Sequence, residues 1–207
     1  MCLKIALSKG YLLDPALYLF QKAGINVDKA LTKSRKLSFF DKTGNYEFVI
    51  IRPADVPVFV EHGAVDIGIV GKDVLTEGQY SLAELLDLKF GYCKLVLASL
   101  KDNPQKELFQ NVRIATKFVN TTKMYCHNKG INAEIIKLYG SVELAPKSGL
   151  ADMIVDLTAT GKTLMENDLE IFDTILESTA RLVSNKIKLK VKYEQIMRLL
   201  ESIQRRL

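Results

Sequence analysis

Tryptophan is absent from the 207-residue sequence, and phenylalanine and tyrosine together reach only 8%. So low an aromatic content gives no support for an aromatic cage or for a surface on which nucleic-acid bases stack. The three cysteines, Cys2, Cys93 and Cys126, form no C-x-x-C pair, which argues against a zinc ribbon or a disulfide framework. No run of about 18 apolar residues and no signal-peptide core occurs. We therefore expect a soluble, cytoplasmic protein without a membrane partner.

The positive charge is unevenly distributed along the chain. The formal net charge is +5, but residues 181–207 alone contain eight basic and two acidic side chains. The lysines at 186, 188, 190 and 192 lack interleaved aromatics, so we interpret them as a solvated face and expect no nucleic-acid partner. Apolar residues make up 48% of the chain, which is typical of a globular protein of one large or two small domains.

Short apolar runs alternate with helix-length amphipathic stretches. Strands are predicted at 3–7, 48–51, 67–70, 94–99, 112–115, 133–136 and 153–157. Helices are predicted at 12–23, from 56 to about 62, and over most of the last twenty residues, although residues 187–191 alternate as a strand would. Such a series predicts βαβ units in a mostly parallel sheet, with ligands beyond the carboxyl ends of the strands. A domain boundary is predicted near residues 90–92.

The stretch from Met153 to Leu164 is the most informative. An apolar strand ends at Asp156, and a threonine-rich loop containing Gly161 then opens onto a helix at about Leu164. Backbone N–H groups and hydroxyls in such a turn favour a phosphate, and a strand-end carboxylate can accept hydrogen bonds from two sugar hydroxyls. A Walker A motif is excluded because Asp156 stands where its first glycine belongs. The pattern predicts a ribose 5-phosphate site; a loop without a ligand is the alternative.

A second stretch runs from residue 52 to residue 75. Arg52 follows a predicted strand, where its guanidinium could bind phosphate oxygens in a bidentate way; a surface ion pair is the alternative. Gly68 and Gly71 permit close backbone approach where the next strand ends.

These stretches resemble the ATP phosphoribosyltransferase family. The resemblance is carried by Arg52–Leu75, Arg113–Lys117, Gly140–Asp152, Asp156–Leu164 with its T-G-x-T, and Glu177–Leu182. It covers essentially the whole chain, and the length resembles the short form of the family, which lacks the C-terminal regulatory domain.

The resemblance implies an enzyme, a pentosyl-transferring glycosyltransferase, that joins N1 of the adenine of ATP to C1 of 5-phosphoribosyl 1-pyrophosphate. Pyrophosphate leaves with inversion at C1, magnesium is required, and the step is the first of histidine biosynthesis. The implied fold is a two-lobed α/β fold of the type II periplasmic-binding-protein kind, with mostly parallel sheets and the active site in the inter-lobe cleft. The first lobe would comprise residues 1–90 plus 180–207 and the second residues 91–179.

The resemblance also implies residue roles. Arg52 and Arg35 would be catalytic, meeting the pyrophosphate or triphosphate, and Lys9, Gly10 and Arg52 would bind ATP. Glu143 and Asp156 would accept hydrogen bonds from the ribose hydroxyls. The 5-phosphate would be held by Thr158, Ala159, Thr160, Gly161, Lys162 and Thr163. No protein metal ligands are expected, because substrate oxygens supply most ligands of Mg²⁺. The family's usual Lys-Gly-Arg reads Lys9-Gly10-Tyr11 here, so Tyr11 has no assigned role.

The implied partners are other protein chains. The short form works with a regulatory subunit similar to histidyl-tRNA synthetase, in a hetero-octamer of four catalytic and four regulatory chains, and the catalytic subunits form homodimers. Two other functions remain open at this point. One is a phosphoribosyltransferase of the orotate or hypoxanthine type, which normally carries two consecutive acids where this chain has Asp156-Leu157. The other is a non-catalytic solute-binding domain.

Overall fold

The computed structural model describes residues 2–27, 36–102 and 111–207. Its contacts divide the chain into two compact units. The first unit comprises Met1–Leu75, Gln79–Gly91 and Thr179–Leu207, and the second comprises Thr76–Gly78 and Tyr92–Ser178.

The first unit contains a six-stranded sheet in the order β2-β3-β1-β4-β11-β5. The strands are β1 (Leu3–Ser8), β2 (Ser38–Phe40), β3 (Tyr46–Ile51), β4 (Ile67–Gly71), β5 (Leu82–Asp87) and β11 (Ala180–Asn185). Strand β1 pairs in parallel with both β3 and β4, with Ser8 opposite Ile51 and Leu7 opposite Ile69. The carboxyl ends of these three strands therefore meet at one edge of the sheet.

Helices cover both faces of this sheet. They are α1 (Leu13–Lys22), α2 (Val56–Glu61), α3 (Lys72–Gly78, whose last turn belongs to the second unit), α6 (Lys186–Val191) and α7 (Tyr193–Gln204). Alternate side chains of β1 point to opposite faces. Leu3, Ile5 and Leu7 join a core cluster with residues of α1 and α7. Ala6 faces the other way, into a cluster with Val56 and Val60 of α2.

The second unit contains a five-stranded sheet in the order β10-β6-β9-β7-β8. The strands are β6 (Cys93–Leu100), β7 (Val112–Thr116), β8 (Ala133–Lys137), β9 (Met153–Thr158) and β10 (Leu169–Ser178). The helices are α4 (Val119–Lys129) and α5 (Lys162–Glu166), with a single 3₁₀ turn at Val142–Leu144. Two buried clusters lie on this unit's sheet: one includes Phe118 and Tyr125, and the other includes Val142 and Leu164.

The α/β class predicted from the alternation of strands and helices is confirmed, but the sheets are mixed rather than mostly parallel. Four of the strand pairings among the described residues are parallel and five are antiparallel. Most of the antiparallel pairs are made by β6, which pairs with β9 and β10, and by β11, which pairs with β4 and β5. These partners are distant in the chain, so the alternation of strands and helices along the sequence does not reveal their direction. The parallel strands still lie together within each sheet, so each sheet has an edge where carboxyl ends meet.

The structure sets the bounds of two predicted helices. Residues 187–191 alternate like a strand but lie in helix α6, because Asn185 caps it by accepting hydrogen bonds from the backbone N–H groups of Ile187 and Lys188. The helix expected at about Leu164 begins at Lys162. Within the described residues, the helices all fall short of the length and apolar character needed to cross a membrane.

Candidate functional site

The carboxyl end of β9 in the second unit changes from apolar to polar along one face. Ile154 is fully buried, and Asp156 and Thr158 follow at two-residue spacing on the same face of the strand. In the antiparallel neighbour β6, Val96 stands opposite Asp156, and Lys94 stands opposite Thr158. The apolar part of this face is covered by the core, while its last residues are part-buried and remain accessible at the strand end.

The loop after β9 is shaped by a hydrogen bond and by one glycine. The backbone N–H of Gly161 donates to Oγ1 of Thr158 at 2.7 Å, and Gly161 itself has φ +76°. A side chain at this position would meet no neighbouring atom within 4 Å, so glycine is required for the backbone conformation and not for space. Helix α5 then starts, and buried Leu164 anchors it in the core. The backbone N–H of Lys162 donates to Oγ1 of Thr160 at 3.4 Å, so two amides of the turn are engaged within it, while Ala159, Thr160 and Thr163 are exposed.

Glu143 is brought to the same face by a different segment. It lies in the 3₁₀ turn Val142–Leu144, and buried Val142 joins the core cluster that also contains Ile154 and Leu164. The turn packs directly on β9. Three of the predicted ligand groups, namely Glu143, Asp156 and the 158–163 loop, are thus assembled on one side of the second unit's sheet.

Asp156 carries the negative charge at this strand end. Its Oδ1 accepts the backbone N–H of Leu157 at 2.8 Å and lies 3.4 Å from Nζ of Lys117. The carboxylate side chain is 22% exposed. Lys117 ends the stretch Arg113–Lys117 that carries the family resemblance, but no role was predicted for it, because only the pairing of β7 with β9 places it beside Asp156.

The first unit presents cationic residues at the corresponding edge of its own sheet. Lys9 follows β1 and Arg52 follows β3, and both are exposed. The backbone N–H of Lys9 donates to the carbonyl of Ile51 at 2.7 Å, which holds these two strand ends side by side. Gly10 adopts φ +98° and its carbonyl accepts the N–H of Leu13 at 3.0 Å, so the chain turns sharply into α1. Lys9, Gly10 and Arg52 therefore share one edge of the first unit.

Gly68 permits the close packing that the sequence suggested. A Cβ placed on it would lie 2.8 Å from methyl carbons of both Val56 and Val60, so helix α2 could not approach β4 as closely if any side chain were present. Arg52 lies between the end of β3 and the 3₁₀ turn Pro53–Asp55 that leads into this helix. The tight packing holds in place the segment that presents Arg52.

A charged network at the carboxyl end of β4 was not predicted. Arg181 lies 3.4 Å from Glu84 and 3.3 Å from Asp87, and Lys72 lies 2.7 Å from Glu84. Burial would raise the pKa of Asp87, but hydrogen bonds from Lys89 and Thr179 and the charge of Arg181 hold it well below its usual range. Arg181 lies in a stretch that the sequence pattern singled out, yet its partners depend on the antiparallel pairing of β11 with β5.

The remaining predicted site residue, Arg35, lies outside the described residues. Cys126 is buried in α4, and burial raises the pKa of its thiol. In the part of the chain that the structure describes, the His, Cys, Asp and Glu side chains form no group of three or more that could hold a metal ion.

Known proteins match this chain over nearly all of its length. The family model described as ATP phosphoribosyltransferase matches residues 52–205. The ATP phosphoribosyltransferase of Citrifermentans bemidjiense is 46% identical over 205 residues, covering 97% of this chain and 96% of the relative. ATP phosphoribosyltransferase 2 of Geobacter sulfurreducens is 46% identical over 206 residues, with the same two coverages.

Solved structures agree with these matches. The ATP phosphoribosyl transferase (HisG:HisZ) complex from Thermotoga maritima contains a chain with 38% identity and a TM-score of 0.83, covering 98% of this chain and 97% of that one. The periplasmic aliphatic sulphonate binding protein SsuA from Escherichia coli has 13% identity and a TM-score of 0.61, covering 98% of this chain and 71% of its own. The second likeness shows the fold alone, and it confirms the expected periplasmic-binding-protein-like α/β class.

Proposed function

The chain belongs to the ATP phosphoribosyltransferase family, and we propose that its second unit binds the phosphoribosyl part of the sugar substrate and its first unit the nucleotide. The reaction joins N1 of the adenine of ATP to C1 of 5-phosphoribosyl 1-pyrophosphate and is the first step of histidine biosynthesis. The N1 electron pair forms the new bond to C1, and the C1–O bond breaks with its electron pair leaving on pyrophosphate. This displacement requires positioning and charge stabilisation and no nucleophilic side chain.

The observation that carries the proposal is the shared face of Glu143, Asp156 and the 158–163 loop. The carboxylates of Glu143 and Asp156 accept hydrogen bonds from the ribose hydroxyls, and the backbone amides and threonine hydroxyls of the loop donate to the 5-phosphate. These contacts hold C1 in place for an in-line approach of adenine N1. Because Asp156 is only partly exposed, its charge near the sugar acts in a medium less polar than water.

On the nucleotide side, we place Lys9, Gly10 and Arg52 at the polyphosphate. Arg52 is exposed at a strand end, where its planar guanidinium can bind two oxygens of pyrophosphate or triphosphate. We propose that Arg35 also binds the negatively charged pyrophosphate or triphosphate. Tyr11 is 71% exposed beside Gly10 and brings a phenol where the family usually has a guanidinium, so no phosphate contact is assigned to it.

The proposal includes a magnesium ion that binds the pyrophosphate group of the substrate. Mg²⁺ takes most of its ligands from substrate oxygens and keeps several waters, so carboxylates such as Glu143 and Asp156, which are oxygen donors, suit it as occasional ligands. When bound, the ion neutralises charge that develops on the departing pyrophosphate. Glu143 and Asp156 are the carboxylates at the sugar that lie within the same unit.

We also propose a regulatory partner. The Thermotoga maritima relative is a complex of two kinds of chain, which supports a regulatory subunit similar to histidyl-tRNA synthetase for this chain. A hetero-octamer built on catalytic homodimers, working in the cytoplasm, is the corresponding expectation. Size determination of the chain alone and mixed with such a partner tests the assembly.

The activity is tested by incubating the chain with ATP, 5-phosphoribosyl 1-pyrophosphate and Mg²⁺, with and without the regulatory partner. Alkylation of N1 changes the ultraviolet spectrum of the adenine, and pyrophosphate release is measured in parallel. We expect both signals to appear together and to depend on both substrates. Binding of both substrates without pyrophosphate release, even with the partner present, would contradict an enzymatic role and favour a solute-binding one.

A further inference from the structure

Lys117 and Asp156 leave the second unit's sheet side by side. Strands β7 and β9 are parallel neighbours, and Thr116, the last residue of β7, stands opposite Val155. The next residue on each strand is therefore Lys117 on one side and Asp156 on the other. Ala115 and Ile154, one register pair earlier, belong to the same buried cluster, so the lysine and the aspartate continue that face at the point where it becomes polar.

The backbone that carries Lys117 is held on both sides. Thr116 is fully buried; its hydroxyl donates to the carbonyl of Val155 at 2.7 Å and accepts the backbone N–H of Phe118 at 2.9 Å. Its carbonyl accepts the N–H of Leu138 at 2.9 Å. These three bonds fix where β7 ends and therefore fix the origin of the Lys117 side chain relative to β9.

The pairing engages one oxygen of the aspartate. Within the described residues, Oδ1 of Asp156 accepts the N–H of Leu157 at 2.8 Å and lies 3.4 Å from Nζ of Lys117. Oδ2 is then the oxygen suited to accept hydrogen bonds from the ribose hydroxyls. Lys117 is 44% exposed, and a pair this open to water contributes little to stability.

We propose that Lys117 is a positioning residue for the phosphoribosyl substrate, acting through Asp156. Its ammonium holds the Asp156 carboxylate in the orientation that directs Oδ2 to the ribose hydroxyls. The inference rests on the proposed function, because it concerns the same sugar site. It adds a residue from a separate strand, 39 positions earlier in the chain, to that site.

The test is calorimetric titration of the full chain with 5-phosphoribosyl 1-pyrophosphate and Mg²⁺, and separately with ATP. Lys117→Met is expected to raise the Kd of the sugar substrate about tenfold or more, because the bound sugar shields the pair from water and makes the interaction stronger than it is in the free chain. The Kd of ATP and the thermal midpoint should stay unchanged, which a merely structural role would not produce. Lys117→Arg should restore the affinity to within about threefold. Lys123→Met, which removes an exposed lysine from α4, is the matched control and should bind as the unsubstituted chain does.

The double variant distinguishes positioning from direct contact. If Lys117 acts through Asp156, adding Lys117→Met to Asp156→Asn should cost less than about twofold, since the partner is already gone. A full tenfold loss in that background would overturn the positioning role. Equal binding by Lys117→Met and the unsubstituted chain would overturn the inference alone, whereas no binding of the sugar substrate by the unsubstituted chain would overturn the proposed function and this inference together.

Discussion

Charged side chains serve different purposes in the two units. In the first unit they bind one another across long stretches of sequence: Lys192 donates to buried Asp66 at 2.6 Å, and Arg181 contacts both Glu84 and Asp87. In the second unit the strand-end site consists mainly of hydroxyl and backbone groups around Asp156. The difference lies in burial: the first unit pairs Lys192 with a nearly fully buried carboxylate, whereas the second unit's pairs Arg113–Asp152 and Lys117–Asp156 are more exposed, and the groups at its strand end remain accessible to a ligand.

The largest expected effect is on the second unit's site. Asp156→Asn keeps the shape of the side chain and removes the charge that faces the sugar, so kcat/KM for 5-phosphoribosyl 1-pyrophosphate should fall about 10²- to 10³-fold. Steady-state kinetics measures this, with urea unfolding to show that stability is little changed. The control is Glu170→Gln, which neutralises an exposed carboxylate on β10. If the variant lost enough stability to explain its whole loss of activity, Asp156 would have a structural role, and the difference proposed between the two units would be wrong.

The next effect concerns the first unit's fold. Lys192 is 13% exposed, and its ammonium donates to Asp66 and, at 2.9 Å, to the carbonyl of Cys2. Lys192→Met removes the nearest cation from the buried Asp66 carboxylate, which keeps the N–H of Lys4 at 2.8 Å and Nζ of Lys188 at 3.9 Å, and should lower the free energy of unfolding by about 1 to 3 kcal/mol. Urea denaturation measures the loss, and Lys190→Met, which removes an exposed neighbouring lysine, should have almost no effect. Affinity for the sugar substrate should remain within about twofold; a larger change would mean that this pair also serves the site.

Arg52 sharpens the comparison, because it is a charged residue of the first unit that is exposed rather than paired into the core. Arg52→Ala should lower turnover about 10- to 100-fold, since a bidentate contact to a departing polyphosphate is lost. The Kd of ATP, measured by titration, should change far less. An equal loss in turnover and in ATP binding would place the residue in ground-state recognition. Arg198→Ala on α7, whose side chain is 79% exposed, is the matched control.

The smallest effect is a pH dependence in the second unit. Hydrogen bonds from Arg113 hold the pKa of Asp152 below its ordinary value. Because this pKa is lower in the folded chain than in the unfolded one, the stabilisation is complete above about pH 4 and is lost as the pH falls through the folded value. Asp152→Asn should therefore destabilise the chain at neutral pH, and the difference from the unsubstituted chain should shrink below about pH 4. A difference in urea unfolding that stays constant down to pH 2 would contradict this assignment.

Much of the fold could be predicted from hydrophobic patterning. Some elements could not be predicted in this way, and each of them has a physical reason. Helix α4 was not predicted, because its buried face includes Thr121 and Thr122 beside Tyr125 and Cys126. Its apolar residues therefore do not recur at helical spacing. Strand β10 lies at a sheet edge and alternates poorly, since its pairing with β6 is interrupted by register shifts. Irregular edge pairing of this kind leaves little periodicity in the sequence.

The candidate site was predicted to different degrees in its two parts. The Asp156 strand end and the turn at Gly161 follow from local residue types, because hydroxyls, a carboxylate and a glycine with positive φ are visible in a short stretch. The role of Lys117 could not be predicted in that way. Its position depends on which strand lies beside β9, and a single lysine after a strand has many possible partners.

The sequence by itself determined the family of this protein, the order of its strands and helices over much of the chain, and the strand-end motif. These are local properties: side-chain periodicity, turn residues and a short run of ligand-type groups. Only the tertiary structure decided that Lys117 meets Asp156 and that Lys192 meets Asp66, 126 residues away. Such pairs depend on strand order and on packing between segments that are distant in the chain, and residue types alone do not specify either.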